Sequence, residues 1–175
     1  MLQQQQQQQQ MKDIGFYFRA SGSSSANNTQ DEGIALREAC RKDMNLEDFE
    51  NLLTSFLARS VGSINDVDCD GNTALMIATQ EEKYDYVMLI LDTGEADVNI
   101  RNNIGDTALI IASRLGNEAI TSSILEANML SYGTKRRRIE LGTKEEEDVR
   151  KAYKQAHNNA IIQSLIETHY LHLSF

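Results

Sequence analysis

A short motif occurs twice in the middle of the chain, and its second copy follows the first at an offset of 34 residues, from Thr73 to Thr107. The copies read Asp-Cys-Asp-Gly-Asn-Thr-Ala-Leu-Met-Ile-Ala at 68–78 and Asn-Asn-Ile-Gly-Asp-Thr-Ala-Leu-Ile-Ile-Ala at 102–112. A repeat of this length predicts a stacked fold, because one such unit cannot bury its apolar face alone. Folds of this kind mostly present surfaces, so the repeat indicates a protein that binds.

The apolar residues of each unit have the spacing of a buried helical stripe. Residues three and four positions apart lie on one side of an α-helix. In the first unit these positions hold Leu75, Ala78, Val87, Ile90 and Leu91, and in the second they hold Leu109, Ala112, Ile120, Ile124 and Leu125. Both units are therefore predicted to be helical, with one side of each helix in a shared core.

Threonine and glycine mark the expected ends of these helices. Thr73 and Thr107 stand where a hydroxyl can cap the first helix of a unit. Gly71 and Gly105 suit a turn that needs a positive φ, which glycine adopts without steric cost. Gly94 can end the second helix of its unit.

The motif resembles the ankyrin repeat, a unit of about 33 residues with a Thr-Pro-Leu-His-x-Ala signature. Thr73–Ala78 and Thr107–Ala112 match that signature, and Gly94–Asn99 looks like the family's Gly-Ala-Asp-Val-Asn with Glu95 inserted. The resemblance implies a turn and two helices in each unit. We therefore expect an all-α protein, an ankyrin-like helical-hairpin solenoid of about four stacked units with a disordered N-terminal tail.

The sequence departs from the family pattern at several positions. The chain has no proline, and Met76 and Ile110 replace the signature histidine. Glu82 stands where the next unit has Gly116. If that turn needs a positive φ, Glu82 costs about 1 kcal/mol there. We expect an array that is less rigid than an idealised one.

The chain divides into a tail at residues 1–30 and a repeat domain at residues 31–175. The tail contains a homopolymeric glutamine tract and a segment rich in Ser, Asn and Gly. Neither can bury apolar surface, so the tail is predicted to be disordered. The glutamine tract is either a tolerated repeat expansion or a self-association contact. The repeat domain is expected to contain four units, at about residues 33–65, 66–99, 100–130 and 142–172.

The first of these units is degenerate. Leu36 and Ala39 stand for the Leu and Ala of the signature, and Asn45 can cap a second helix. That helix has an apolar stripe made of Leu46, Phe49, Leu52, Leu53, Phe56 and Leu57. An end unit needs a polar outer side, and the residues expected to face water are Arg37, Glu38, Arg41, Lys42 and Asp43. We interpret this unit as a cap, with a recognition surface as the alternative.

The last unit has a helix-start signal followed by two apolar stripes. Thr143-Lys144-Glu145-Glu146 has the spacing of a capping box. The apolar stripes consist of Val149, Ala152 and Ala156, then of Ile161, Ile162, Leu165 and Ile166. Residues 145–148 indicate an extra helical turn relative to the central units.

A basic cluster lies in the connection between the third and last units. Its residues are Lys135, Arg136, Arg137 and Arg138. The connection is about three residues longer than its counterparts, so the cluster is expected to project from an acidic body. Three interpretations stay open: a solvated loop, a nuclear-import signal, or a contact for an acidic partner.

Charge and cysteine content limit the class of protein. The net charge of −9 argues against general nucleic-acid binding, which needs a basic surface. Two cysteines are too few for a disulfide framework, so we expect a reducing, cytoplasmic location, with nuclear or secreted-effector roles as alternatives. No apolar run approaches the roughly 18 residues of a membrane helix, and the N-terminus lacks the apolar region of a secretory signal. We expect a monomer without a membrane partner.

Few residues indicate catalysis or metal binding. Cys40 could pair with His157 as a nucleophilic dyad, but a buried structural thiol is the simpler interpretation. His169 and His172 could share a helix face as a metal site, but two surface histidines on a frayed helix are the simpler interpretation. The sequence has no Gly-rich phosphate loop and no Gly-x-Ser-x-Gly motif. We therefore expect no enzyme activity, cofactor or metal.

The resemblance implies a module that binds another protein with hairpin tips and with the concave face of the first helices. Carried over by position, the tip residues are Cys69, Asp70, Asn72, Arg101, Asn103, Ile104 and Asp106. The helix residues are Gln80, Glu81, Arg114 and Leu115. Ile104 and Leu115 are apolar at positions expected to be exposed, so they are either interface anchors or packing contacts to the next unit.

The function expected from this is a non-enzymatic adaptor or scaffold, which includes a host-targeted effector of an intracellular bacterium. The alternatives are a small enzyme or regulatory subunit with an unrecognised site, and a nuclear regulator directed by the basic cluster.

Overall fold

The computed structural model describes residues 28–59, 63–131, 144–156 and 159–170. This part of the chain contains helices and no strand, which confirms the all-α prediction. In chain order the helices are α1 (Asn28–Arg41), α2 (Leu46–Arg59), α3 (Ala74–Gln80), α4 (Tyr84–Asp92), α5 (Ala108–Leu115), α6 (Glu118–Ser131), α7 (Lys144–Gln155) and α8 (Ala160–His169). None of these helices is long and apolar enough to cross a membrane.

Several predictions fall outside the described residues. They concern the glutamine tract, the basic cluster Lys135–Arg138, the capping residue Thr143, and the histidines His157 and His172. Helix α1 begins at Asn28, three residues inside the segment assigned to the tail.

The helices form four stacked hairpins. Within each hairpin the two helices contact one another: α1 with α2, α3 with α4, α5 with α6, and α7 with α8. The first helices (α1, α3, α5 and α7) also contact one another in sequence order, and so do the second helices (α2, α4, α6 and α8). The result is two parallel rows of helices with the core between them, which confirms the predicted solenoid.

Helices α3 and α5, which are the first helices of the two central hairpins, are buried along most of their length. Residues 74–79 of α3 and 108–113 of α5 are all buried, because each helix lies between two neighbouring first helices and its own second helix. Met76 and Ile110, which replace the signature histidine, are part of this core. The predicted stripe residues of both units are buried except Leu91, which is half-buried.

The predicted helix caps and turns are present. Thr73 Oγ1 accepts a hydrogen bond from Met76 N at 3.3 Å, and Thr107 Oγ1 accepts one from Ile110 N at 3.4 Å. The glycines expected to need a positive φ have one, as do Gly94 and Gly116. Glu82 has a φ of 54°, and no other residue except glycine has a positive φ in the described ranges.

This backbone geometry predicts that Glu82→Gly stabilises the protein. A side chain in the left-handed region costs about 1–2 kcal/mol, and glycine removes that cost while adding flexibility to the unfolded chain. We expect the free energy of unfolding, measured by denaturant titration, to rise by about 0.5–1 kcal/mol. The matched control is Glu81→Gly, which removes the same charge at a negative φ of −83° and should lower stability. Equal effects of the two substitutions would contradict this reading of the turn.

The first hairpin packs as an end unit, but two of its residues lie in environments different from the predicted ones. Asn45 Oδ1 accepts a hydrogen bond from Asp48 N at 2.8 Å, as expected for a cap. Phe49 is fully buried and stacks on Tyr86 of the second unit with 3.9 Å between ring centroids. Leu46 was predicted to belong to the apolar stripe, but it is exposed at the first position of α2.

Arg37 is the second residue whose environment differs from the prediction. It was expected to face water, and it is buried. A Cβ placed on Gly33 would lie 3.1 Å from both Arg37 Nη1 and Asp66 Oδ2, so the guanidinium lies between α1 and the chain that follows α2. Burial lowers the pKa of Arg37, although the carboxylates of Asp66 and Asp68 act in the opposite direction. The carboxylates offset part of the cost of burying this charge.

The last hairpin completes the stack. Asn159 Oδ1 caps α8 by accepting hydrogen bonds from Ile161 N and Ile162 N, both at 3.1 Å. The predicted residues of α7 (Val149, Ala152 and Ala156) are buried. Helix α7 has 12 residues and α5 has 8, which agrees with the extra turn expected there. In α8, Ile162 and Ile166 are buried, whereas Ile161 is 57% exposed and was wrongly placed in the core.

Candidate protein-binding surface

Two hairpin tips of the same design project between successive helix pairs. In the first tip, Asp68 Oδ1 accepts hydrogen bonds from the backbone N–H of Asp70 at 3.0 Å and of Asn72 at 2.8 Å. In the second tip, Asn102 Oδ1 accepts them from Ile104 at 3.2 Å and from Asp106 at 2.8 Å. A side-chain oxygen that accepts from the next residues of a turn fixes the backbone there. Both tips are therefore internally closed loops.

Hydrogen bonds between the tips join them into one surface. Asn103 N donates to Asp70 O at 2.9 Å, and Asn103 Nδ2 donates to Cys69 O at 2.9 Å. Behind them, Asn102 Nδ2 donates to Asn72 Oδ1 at 2.9 Å in a buried contact. These bonds hold Ile104 in position relative to the preceding unit.

The tips expose some of the predicted contact residues and bury others. Cys69, Asp70 and Asn103 are exposed, and the Ile104 side chain is 73% exposed. Asn72 and Asp106 were predicted to face a partner, and both are buried. Asn72 is buried because it accepts the bond from Asn102, and Asp106 is buried because the last unit packs over it.

Asp106 is the centre of an ion-pair cluster between the third and last units. Its side chain is 3% exposed and accepts from Lys151 Nζ at 2.6 Å and from Arg114 Nη1 at 2.5 Å. Lys151 Nζ also donates to Gly105 O at 3.1 Å. Burial acts to raise the pKa of Asp106, but the bonds from Lys151 and Arg114 outweigh it and hold that pKa below its ordinary value of 3.8.

A lowered folded-state pKa makes the contribution of Asp106 depend on pH. The contribution is complete above the unfolded pKa, near 3.9, and is lost as the pH falls from about 5 through the lower, folded pKa. Asp106→Asn should lower the free energy of unfolding at neutral pH by about 1–2 kcal/mol, since both cations stay partly hydrated. The difference between the variant and the wild type should shrink as the pH falls from about 5 towards 3. A difference that is constant with pH would contradict this role.

The folded-state pKa of Asp148 is raised, whereas that of Asp106 is lowered, because burial raises the pKa of Asp148 more than Arg101 lowers it. Asp148 is present in both the wild type and Asp106→Asn, so the difference in stability between these two proteins isolates the contribution of Asp106.

Arg101 is used within the molecule, although it was predicted to contact a partner. Its Nε lies 3.0 Å from Asp148 Oδ2, and its Nη2 donates to Lys144 O at 2.8 Å. The extra turn of α7 therefore lies against the second hairpin tip. Arg101 remains half-exposed, so part of its side chain is still accessible.

The other helix residues predicted to contact a partner lie at the C-terminal ends of α3 and α5. Gln80, Glu81 and Arg114 are exposed, and Leu115 is 43% exposed. The earlier residues of both helices are buried, so only these ends are accessible on α3 and α5. Packing against the described part of the last unit thus leaves Ile104 largely uncovered and Leu115 partly exposed. The binding role of all these residues remains a prediction, as does that of Lys135–Arg138.

The candidate catalytic and metal residues are not arranged for chemistry in the described ranges. Cys40 is fully buried, and burial raises the pKa of its thiol to about 12. A thiol with so high a pKa is a poor nucleophile, because the thiolate is the reactive form. The Nδ1 atom of His169 lies 2.8 Å from Leu165 O. Within the described residues, no three or more His, Cys, Asp or Glu side chains are grouped in a way that could hold a metal ion.

Comparison with known proteins identifies the repeats. A family model described as ankyrin repeats (3 copies) matches residues 25–134, which is more than half of the chain. No curated protein matches the chain. The matched residues contain the first three helical hairpins and end before α7, so the last hairpin is a stacked unit beyond the recognised repeats. The chain belongs to the ankyrin-repeat family.

Proposed function

We propose that this protein is a non-enzymatic adaptor or scaffold that binds another protein with its two hairpin tips and the C-terminal ends of α3 and α5. Ankyrin repeats generally mediate protein–protein interaction. The proposal assigns that interaction to a surface defined by Cys69, Asp70, Gln80, Glu81, Asn103, Ile104, Arg114 and Leu115. We refer to these residues as the tip surface.

The observation that carries this proposal is the exposure of Ile104 on a backbone that is held in place. Ile104 is the most exposed large apolar residue in the described chain, at 73%. Its own N–H is bonded to Asn102, and the neighbouring Asn103 is bonded to the first tip. An apolar side chain on a fixed backbone loses little conformational freedom on binding, which favours affinity. Energetically dominant interface residues are anchors of this kind.

Replacing Ile104 with Ser should weaken partner binding without affecting folding. The loss of a central anchor costs about 2 kcal/mol or more, which is roughly a 30-fold rise in Kd. The partner would be identified by mass spectrometry after a pull-down with the wild-type chain. Its affinity for the wild type and for the variant would then be compared by titration.

The matched control is Val67→Ser, which also replaces an exposed aliphatic residue in the loop before the first tip. Val67 lies outside the tip surface, so this variant should keep the wild-type affinity. Equal losses for the two variants, or no loss for Ile104→Ser, would contradict the proposed surface.

The alternative of a small enzyme has less support from the residues that suggested it. The buried thiol of Cys40 and its raised pKa favour the structural interpretation of this cysteine. A thiol-alkylation assay on the folded protein addresses this alternative directly. Rapid alkylation of Cys40 would favour a reactive site, whereas alkylation of the exposed Cys69 alone would favour the adaptor.

Location is a separate part of the proposal. We propose a cytoplasmic protein, on the basis of its two free cysteines, one of them buried in the core. Nuclear regulation and secretion into a host cell are the alternatives. Changing Lys135–Arg138 to Ser and following the protein in a eukaryotic cell distinguishes the nuclear case. Loss of nuclear accumulation would support an import signal.

A further inference from the structure

A cleft of about 600 Å³ lies where the third and last units meet. It is formed by the C-terminal ends of α5 and α7 and by the beginning of α8. Its lining residues are Ser113, Arg114, Gly116, Gln155, Ala156, Asn159, Ala160 and Ile161. Arg114 belongs both to this lining and to the tip surface, so the cleft adjoins one end of the tip surface.

Two polar side chains in the cleft lack partners. Ser113 is almost fully buried, and its Oγ is the one buried side-chain N or O atom without a hydrogen bond in the described part of the molecule. Its counterpart in the second unit, Thr79, donates to Leu75 O at 2.8 Å. Gln155 makes no side-chain hydrogen bond to another described residue. A buried polar group without a partner is costly, so the Ser113 hydroxyl favours a polar ligand in the cleft, and the half-exposed Gln155 amide can bind the same ligand.

The charges around the cleft favour an acidic ligand. Arg114 is the single charged residue among the described residues of the lining, and it shares Asp106 with Lys151. The N-terminus of α8 adds a partial positive charge. Glu118 is a nearby carboxylate, with Oε1 at 3.4 Å from Asn159 Nδ2, but it is exposed to solvent, where its charge is screened.

Apolar side chains border the same cleft. Ile161 lines it and is 57% exposed, and Leu115, which follows the lining residue Arg114 in sequence, is 43% exposed. A ligand that fits the cleft therefore combines a negative charge with an apolar group. Sites that bind ligands usually combine apolar walls with a few convergent polar groups in this way.

We infer that this cleft binds a segment of a partner polypeptide in which an acidic side chain lies next to an apolar one. The acidic group contacts the Ser113 hydroxyl and the Gln155 amide, and the apolar side chain packs against Leu115 and Ile161. The inference rests on the proposed function, because it takes the partner to be a polypeptide. It adds a second contact to the tip surface and specifies the chemistry of the bound segment.

The test uses short random peptides displayed on phage and selected on the full chain. Selected peptides should be enriched in an acidic residue adjacent to an aliphatic or aromatic one. Binding of a synthetic peptide of that composition should weaken about tenfold or more with Gln155→Glu, because like charges then face each other. Ile161→Ser should also weaken binding, and the wild-type affinity should fall as the salt concentration rises.

The matched control is Asn51→Asp. Asn51 is exposed on α2 of the first unit, outside the cleft and the tip surface, so both variants replace a side-chain amide with a carboxylate. Asn51→Asp should keep nearly the wild-type affinity for the peptide, and the melting temperatures of both variants should match that of the wild type. Comparable weakening by the two variants would overturn the inference.

Other outcomes separate this inference from the proposed function. Peptides that bind the chain but lack acidic residues, or a selection that yields no peptide, would overturn the acidic-segment assignment. Binding that is lost with Ile104→Ser and kept with Gln155→Glu would overturn the cleft and leave the tip surface standing. Peptide binding that responds to neither substitution would contradict both.

Discussion

Replacing Leu109 with Ala is expected to lower the free energy of unfolding by about 2–5 kcal/mol. Leu109 lies in α5 and is 5% exposed, within a core shared by three units. Helix α5 contacts α3, α6 and α7, so a cavity there removes packing from both neighbouring units at once. In a stacked repeat, stability is the sum of the units and their interfaces, and a central unit contributes to two interfaces.

Leu115→Ala in the same helix is the matched control for this change. It makes the same chemical substitution at a position that is 43% exposed, and it should cost about 1 kcal/mol or less. Chemical denaturation of both variants, followed by circular dichroism, measures the difference. Equal denaturation midpoints for the two variants would show that the packing of α5 is different from the one described.

Gly71→Ala should destabilise the protein more than Gly105→Ala, although both glycines occupy equivalent turns. Their φ angles are 78° and 76°, so an added Cβ costs about 1–2 kcal/mol at either position. At Gly71 the Cβ would also lie 2.8 Å from Asn103 N and 2.7 Å from Asn103 Oδ1. The second tip would have to move away, and overpacking of this kind costs about 1–3 kcal/mol more.

Gly105 serves as the control because a Cβ added there would have no neighbouring atom within 4 Å. Gly105→Ala should therefore show the cost of the φ angle alone. Thermal unfolding of the two variants gives the comparison, and hydrogen exchange at the Asn103 amide shows whether its bond to Asp70 is lost. Similar melting temperatures, together with an Asn103 amide that stays protected in Gly71→Ala, would contradict the predicted displacement of the second tip.

The central repeats could be predicted from sequence because their signals are local. A capping threonine, a glycine with positive φ and an apolar spacing of three and four residues each depend on neighbours within one turn or hairpin. Glu82 shows how specific this reasoning can be. Alignment with Gly116 indicated the cost that Glu82 would carry if this turn needed a positive φ, and the structure has that positive φ.

The errors occur where burial depends on contacts that are distant in sequence. Asp106 has the position of an exposed tip residue, and its burial follows from Lys151, which is 45 residues away. Asn72 is buried by Asn102, which is 30 residues away. A family pattern gives the position of such a residue in its own unit, but the partner in the next unit depends on the particular sequence.

Residues of the end units were misplaced for a related reason. The stripe of α8 was expected to include Ile161, yet α8 packs mainly against α6 and α7 among the described helices. Only the narrow side formed by Ile162 and Ile166 is therefore buried, and Ile161 becomes part of a cleft. Periodicity indicates that a helix has an apolar side, but the number of neighbours determines how wide the buried part of that side is.

Site-specific photo-crosslinking tests the central claim, that the tip surface binds another protein, most directly. A photoreactive amino acid would replace Ile104 in one protein, Leu115 in a second, and Glu126 on the exposed side of α6 in a third. In cells that express the protein, we expect one dominant adduct from position 104, the same adduct in weaker form from position 115, and none from position 126. An adduct from position 126 with none from position 104 would contradict the account.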